Sequence, residues 1–264
     1  MSSNNLKNYL ETTFKKYHNP AFLHLDPLLC VHRFSNNNDI EACAFLASSI
    51  AYGRAEMIVR SVNQVLKIMD QGPSLFIMNT TLKEKQKIFK GFKHRFNTSD
   101  DIALLLDCLR YVRMEYGSLE TLFCTLQQGE TVREKLDHYT IAIRKIARIL
   151  SKTVQPSFDY FFPSPSSGSA CKRLNMFLRW MVRERDGIDF GLWKNVMPSL
   201  LVMPVDTHIA RIATSLGFTK RRTVDWRMAE EITGVLRKFD YNDPVRFDFS
   251  LCRAGMVAFR KEAA

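Results

Sequence analysis

The chain has 264 residues, 46% of them hydrophobic, with 38 Lys and Arg against 27 Asp and Glu for a formal net charge of +11. That length and apolar fraction fit a globular protein with a large core, and no apolar run approaches the ~20 residues needed to span a bilayer. The start, Met1-Ser-Ser-Asn-Asn-Leu-Lys7, carries no apolar signal core, so a cytoplasmic, nucleoid-associated monomer with no membrane partner is expected. Cys30, Cys43, Cys108, Cys124, Cys171 and Cys252 form no CxxC and no cluster. This excludes iron–sulfur and zinc spacings and points to reduced, buried thiols. The basic excess is spread along the chain, a balance that favours polyanions such as nucleic acid.

The apolar pattern is helical nearly throughout. Leu6, Tyr9, Leu10 and Phe14 mark a first short helix. Ile40 to Ala51 predicts a second, with Asp39 as its N-cap after the run Ser35-Asn-Asn-Asn-Asp39. Ala55 to Met69 continues with Ile58, Val62, Val65 and Ile68 on one face, and Gln71-Gly-Pro73 stops it. Ile102, Leu105, Leu106, Leu109 and Val112 repeat at three- and four-residue steps, and Ile141, Ile146 and Ile149 mark a further helix between about 131 and 153. No period-two strand of useful length appears. With only 11 Gly and 9 Pro, the reading is all-α: a multi-helix, two-lobed array.

The strongest loop signal is Phe161-Phe-Pro-Ser-Pro-Ser-Ser-Gly-Ser169. It is a junction between lobes, though the chain from 1 to 264 is expected to act as one unit. A helix follows the loop, with Lys172 in its first turn. Lys172, Arg179 and Arg183 fall within about 40° of one another on that helix, a basic stripe suited to phosphate contacts. Asp186-Gly187 and Leu216-Gly217 read as helix ends, and Asn242-Asp243-Pro244 as the start of the last helix. Between them, Met203-Pro-Val-Asp206 forms a proline-led turn opening a helix over 207–217. Asp206 at its mouth suits an N-cap, and equally a carboxylate poised for chemistry.

These segments resemble the helix-hairpin-helix DNA glycosylase superfamily, in the manner of endonuclease III and archaeal 8-oxoguanine glycosylases. Gly168-Ser-Ala-Cys-Lys172 is similar to that family's G-x-G-x-K hairpin, and Val205-Asp-Thr-His-Ile209 to its later V-D-T-H run. The likeness is best over about 165–217. Ala170 stands where the second glycine is usual. About 33 residues lie between Lys172 and Asp206, more than in the endonuclease III branch, with an insertion over roughly 184–199. The chain also resembles a bacterial family without an assigned activity that carries the strings CKRLNMFLRWMVR and PxDTH.

The superfamily resemblance implies base excision from DNA. Lys172 would attack the sugar C1′, with lyase cleavage following through a Schiff base. Asp206 would stabilise positive charge on the sugar. The amine attacks only when neutral, a state that Arg173 and the positive end of the helix would favour. Lys172 also reads as a surface lysine or a phosphate contact, and Asp206 as a simple cap.

The partner implied is duplex DNA carrying a damaged, oxidised base. Its phosphates would meet the backbone of Ser167, Gly168, Ser169 and Ala170, together with Arg173, Arg179, Arg183 and His208. Lys220, Arg221 and Arg222 are further backbone candidates. Tyr52 and Arg54 would probe the strand, and Trp180, Trp193, Phe247 and Asp248 would line a pocket for the extruded base. No metal or organic cofactor is expected; the hairpin carbonyls could hold a monovalent cation. The alternative implied by the same resemblance is a DNA-binding protein of this fold that does not cut.

Overall fold

A computed structural model describes residues 2–70, 72–125 and 131–262. Helices dominate them. In chain order they are α1 (Ser3–Tyr17), α2 (Leu28–Val31), α3 (Asn37–Ser49), α4 (Ala55–Ile68), α5 (Pro73–Asn79) and α6 (Leu82–Ile88). A hairpin of two-residue strands follows, β1 (Lys93–His94) and β2 (Asn97–Thr98). Then come α7 (Ser99–Tyr116), α8 (Leu119–Thr125), α9 (Val132–Leu150), α10 (Pro156–Asp159), α11 (Lys172–Val182), α12 (Thr207–Ser215), α13 (Trp226–Leu236) and α14 (Asp248–Glu262). The all-α reading therefore holds. None of the described helices is long and apolar enough to cross a membrane.

The chain divides into two compact units. One comprises Leu25–Ser164; the other joins Met1–His24 to Pro165–Ala264. In the first, α3 is buried on every side because Ala and Ser separate its larger residues: Ile40, Cys43, Phe45 and Leu46 are all 2% exposed or less. It packs against α2, α4, α5 and α7, and α7 in turn against α6, α8 and α9. Phe45, Phe158, Phe161 and Phe162 form an aromatic cluster with ring centroids 5.7–6.2 Å apart.

Lys85 is fully buried there. Its ammonium donates to the carbonyls of Ile77 (3.1 Å) and Thr80 (2.6 Å) and to Asp107 (2.9 Å), tying α5, α6 and α7 together. In the second unit, α14 packs against both α1 and α12.

Three local expectations need correction. The N-cap of α3 is Asn36, whose side chain accepts from Asn38 N and Asp39 N. Asp39 lies one turn in, and its carboxylate accepts from Ser74 N at 2.8 Å, fixing the start of α5. Asn242-Asp243-Pro244 opens a turn, not a helix; α14 begins at Asp248, because Asp243 is held by Arg183 and does not cap. Asp186-Gly187 lies beyond the end of α11, in a turn where Asp186 accepts from Ile188 N and Asp189 N, each at 3.0 Å.

Candidate functional site

The turn before α11 is built from small residues. Gly168 has φ 82°, a left-handed value that glycine adopts without cost, and no atom lies within 4 Å of where a Cβ would stand. Its requirement is conformational, not steric. Cys171 also sits in the left-handed region, at φ 48°. For a residue with a side chain that is strained, and neighbouring bonds hold it. Ser169 Oγ accepts from Cys171 N (3.1 Å), and Asn175 Nδ2 donates to the Ala170 carbonyl (3.1 Å). The result is a fixed turn that makes Lys172 the first residue of α11. Ser166, Ser167 and Gly168 are exposed ahead of it; Ala170 and Arg173 are buried.

Asp206 begins α12. Its Oδ1 accepts from His208 N and Ile209 N, each at 2.9 Å, satisfying two of the otherwise unpaired amides of the first turn. Its Oδ2 is turned to Lys172 Nζ at 3.8 Å. Capping and facing the lysine therefore coexist, one oxygen for each. The pair is partly open, with the lysine side chain 35% and the aspartate side chain 19% exposed. At 3.8 Å the two charges attract without a direct hydrogen bond, and a partly exposed pair adds at most about 1 kcal/mol to stability. The sequence placed both groups at helix N-termini, and the fold brings them together.

The basic stripe along α11 is not a stripe facing solvent. Arg179 and Arg183 are 4% and 5% exposed. Arg179 Nε donates to Asp189 (3.2 Å) and its Nη1 to Asp248 (2.5 Å). Arg183 donates to Asp189 (2.5 Å) and Asp243 (2.8 Å), and lies 3.1 Å from Asp186. These guanidiniums neutralise buried carboxylates, so they are withdrawn from phosphate contact. Burial favours the neutral form of Asp248; Arg179 opposes this, Asp206 and Asp189 add to it, and its pKa stands at about 6. Burial acts the same way on Asp186. There it is outweighed by the hydrogen bond with His18 and by Arg183, which hold Asp186 well below the usual carboxylate range.

The expected base pocket is also corrected. Trp180 is 0%, Trp193 3% and Phe247 1% exposed, and Asp248 is 4% exposed beneath Arg179. Trp193 meets Phe177 edge-on at 5.4 Å, while Arg246 lies 4.4 Å from the Phe247 ring. The stretch 184–199 is pinned beneath α11, since Phe190 N and Trp193 N donate to the carbonyls of Trp180 and Met181, each at 2.8 Å. Gly191 permits the close pass: a Cβ there would lie 2.8 Å from the Arg183 carbonyl oxygen. These rings fill the core and present no face to a base.

The other predicted residues lie elsewhere. His208 is half-buried in the first turn of α12. Arg221 is bound to Asp225 at 2.5 Å, while Lys220 and Arg222 are exposed. Tyr52 and Arg54 belong to the unit Leu25–Ser164, Tyr52 half-buried and Arg54 exposed at the start of α4. The role of Asp186, Asp189 and Asp243 as acidic partners of α11 was missed; Asp186 and Asp243 stood out in the sequence only as turn and capping signals, and Asp189 not at all. Among the described residues no group of three or more His, Cys, Asp and Glu is placed to hold a metal ion.

The geometry thus defines a helical protein of two units, one of which carries a lysine–carboxylate pair between two helix N-termini. The chain belongs to the family DUF2400, described as a protein of unknown function, which matches residues 26–257. No curated protein and no solved structure matches it.

Proposed function

We propose that the protein is a DNA base-excision glycosylase with lyase activity, in which Lys172 is the nucleophile and Asp206 its charged partner. The observation that carries this reading is the 3.8 Å approach of Lys172 Nζ to Asp206 Oδ2 across the starts of α11 and α12. Lys172 gives up a proton to solvent, and the neutral amine attacks C1′ of the damaged nucleotide; the proton that the nitrogen sheds as the C–N bond forms is taken up by the departing base. The bond from C1′ to the base breaks, and its electron pair leaves with the base. Asp206 Oδ2 stabilises the positive charge that develops on the sugar, and Oδ1 stays on the helix amides to hold it in place. Ring opening turns the new C–N bond into a Schiff base, from which β-elimination cuts the strand. The exposed turn Ser166–Gly168 offers its backbone to a phosphate of the same strand.

Borohydride trapping tests this directly. Wild type, Lys172→Gln and Asp206→Asn are incubated with duplexes carrying an abasic site, 8-oxoguanine or thymine glycol. A covalent adduct that vanishes in Lys172→Gln supports the nucleophile and names the lesion class. An adduct of equal yield in both variants rejects it. The second reading, a DNA-binding protein that does not cut, draws on Ala170. Its Cβ stands where the resemblance puts a glycine, and it limits how closely a phosphate can approach that backbone. Salt-dependent duplex binding with no adduct on any substrate would favour it.

A further inference from the structure

The unit Leu25–Ser164 presents an exposed aromatic group that the chemistry above does not use. Phe96, at the tip of the β1–β2 hairpin, is 59% exposed, and Tyr160, just after α10, is 45% exposed. The Phe96 ring runs parallel to Tyr52, with a 6.4 Å centroid separation and 6° between planes. Tyr160 stands edge-on to both, 5.5 Å from Phe96 and 4.9 Å from Tyr52.

The base of this group is rigid. The Tyr52 hydroxyl bonds to Asn97 Oδ1 and to the His94 carbonyl. Asn97 Nδ2 donates to the Ser157 carbonyl (2.7 Å), and His94 Nδ1 meets Ser61 Oγ at 2.9 Å. Two-residue strands have little stability of their own, so these bonds are what fix the hairpin. Arg95 at its tip is held at φ 51°, a left-handed value unusual for a residue with a side chain. Its guanidinium lies 5.6 Å from the Phe96 ring and its side chain runs against Gly53.

Arg95, beside the Phe96 ring, is exposed, as are Lys93 on the same hairpin and Arg54, next in the chain to the Gly53 that Arg95 runs against. Of the acids close in sequence, buried Asp101 is taken up by Thr98 and Ser157 and Asp159 pairs with Arg144 at 3.1 Å, while Asp100 and Glu56 are exposed.

We infer that Phe96 and Tyr160 form a stacking platform for an unpaired base of single-stranded nucleic acid, with Arg95, Lys93 and Arg54 receiving the flanking phosphates. An aromatic face takes any base, and fixed cations beside it take the backbone. This inference stands without Lys172 or Asp206 and is tested apart from them. Fluorescence anisotropy compares a labelled oligothymidylate of about 12 nucleotides with a strand of equal phosphate number made wholly of tetrahydrofuran abasic units.

Wild type is expected to prefer the base-bearing strand. Phe96→Ala should lose about 5- to 150-fold in affinity for it, with little change on the abasic strand. Phe96→Trp should retain the preference. Arg95→Gln should weaken both strands alike and flatten the salt dependence. Because Phe96 lies outside the core, Phe96→Ala should keep its helical circular dichroism. Equal binding of both strands by wild type, no binding of either, or an unchanged preference in Phe96→Ala would each overturn the platform.

Discussion

Replacing Arg179 by Met tests the reading of α11 as a charge-neutralising core helix. Arg179 has a side chain 5% exposed and meets two carboxylates, Asp189 and Asp248, whose side chains are 0% and 6% exposed. Asp189 keeps Arg183 at 2.5 Å after the change, so the group left without its cation is Asp248. Breaking one side of such a buried pair costs about 3–5 kcal/mol at neutral pH.

The sign with pH follows from Asp248. Its folded value of about 6 lies above its ordinary 3.8, so the folded state holds the proton more tightly and stability falls as pH rises through that window. The gap is worth about 3 kcal/mol. Without Arg179 the folded value climbs further and the fall continues to higher pH. The penalty in Arg179→Met should therefore be largest near about pH 8, and the part carried by Asp248 should vanish by about pH 5. Urea unfolding of wild type and variant across that range measures it. Arg179→Lys should not rescue, since a single ammonium cannot reproduce the fork that meets both acids. A loss below about 1 kcal/mol, or one that does not change with pH, would refute the buried network. Strongly reduced duplex binding by a stably folded variant would return Arg179 to the surface.

Two further outcomes are expected. Lys85→Met removes the ammonium bonded to buried Asp107 and leaves it only Arg110, 3.9 Å away and partly exposed; chemical denaturation should show a loss of about 3 kcal/mol, much of it recovered in Lys85→Met/Asp107→Leu. Asp206→Ala removes the cap of α12 and should cost about 1 kcal/mol. Asp206→Asn, an equally good cap, should unfold within a few tenths of wild type, so its trapping result reports chemistry rather than folding.

The helical class was legible because the apolar period of α4 and α7 is unambiguous, and Lys172 and Asp206 were legible because each follows a turn that opens a helix; in α9, Ile141 and Ile149 are exposed, and Leu136, Tyr139, Ile143 and Ile146 form the buried face. The partners of α11 were not. Periodicity put Arg179 and Arg183 on one edge of the helix, but what faces that edge comes from outside the helix: Asp189 and Asp248 for Arg179, 10 and 69 residues away, and Asp186, Asp189 and Asp243 for Arg183. The positive charge was visible and its neutralisation was not. The aromatics misled for a related reason. Trp180 and Phe247 have the ring chemistry a base would want, but local sequence does not distinguish a ring facing solvent from one under a helix. Strands of two residues are too short to show a period, so the hairpin that exposes Phe96 left no pattern to read.

The division of the chain has a consequence for its synthesis. Residues Leu25–Ser164 are contiguous and form a compact unit of their own, so their contacts are all available once that stretch has left the ribosome. Helix α1 waits longer, because its main partner, α14, follows only after the whole of that stretch and α11 to α13 have been made. Until α14 has been made, the apolar face of α1, with Leu10 fully buried in the folded protein, lacks its main native partner. Closing so long a loop is entropically slow, though the added cost grows only as the logarithm of its length. A nascent chain stalled before α14 should therefore carry a finished insert, and an N-terminal helix available to chaperones and proteases.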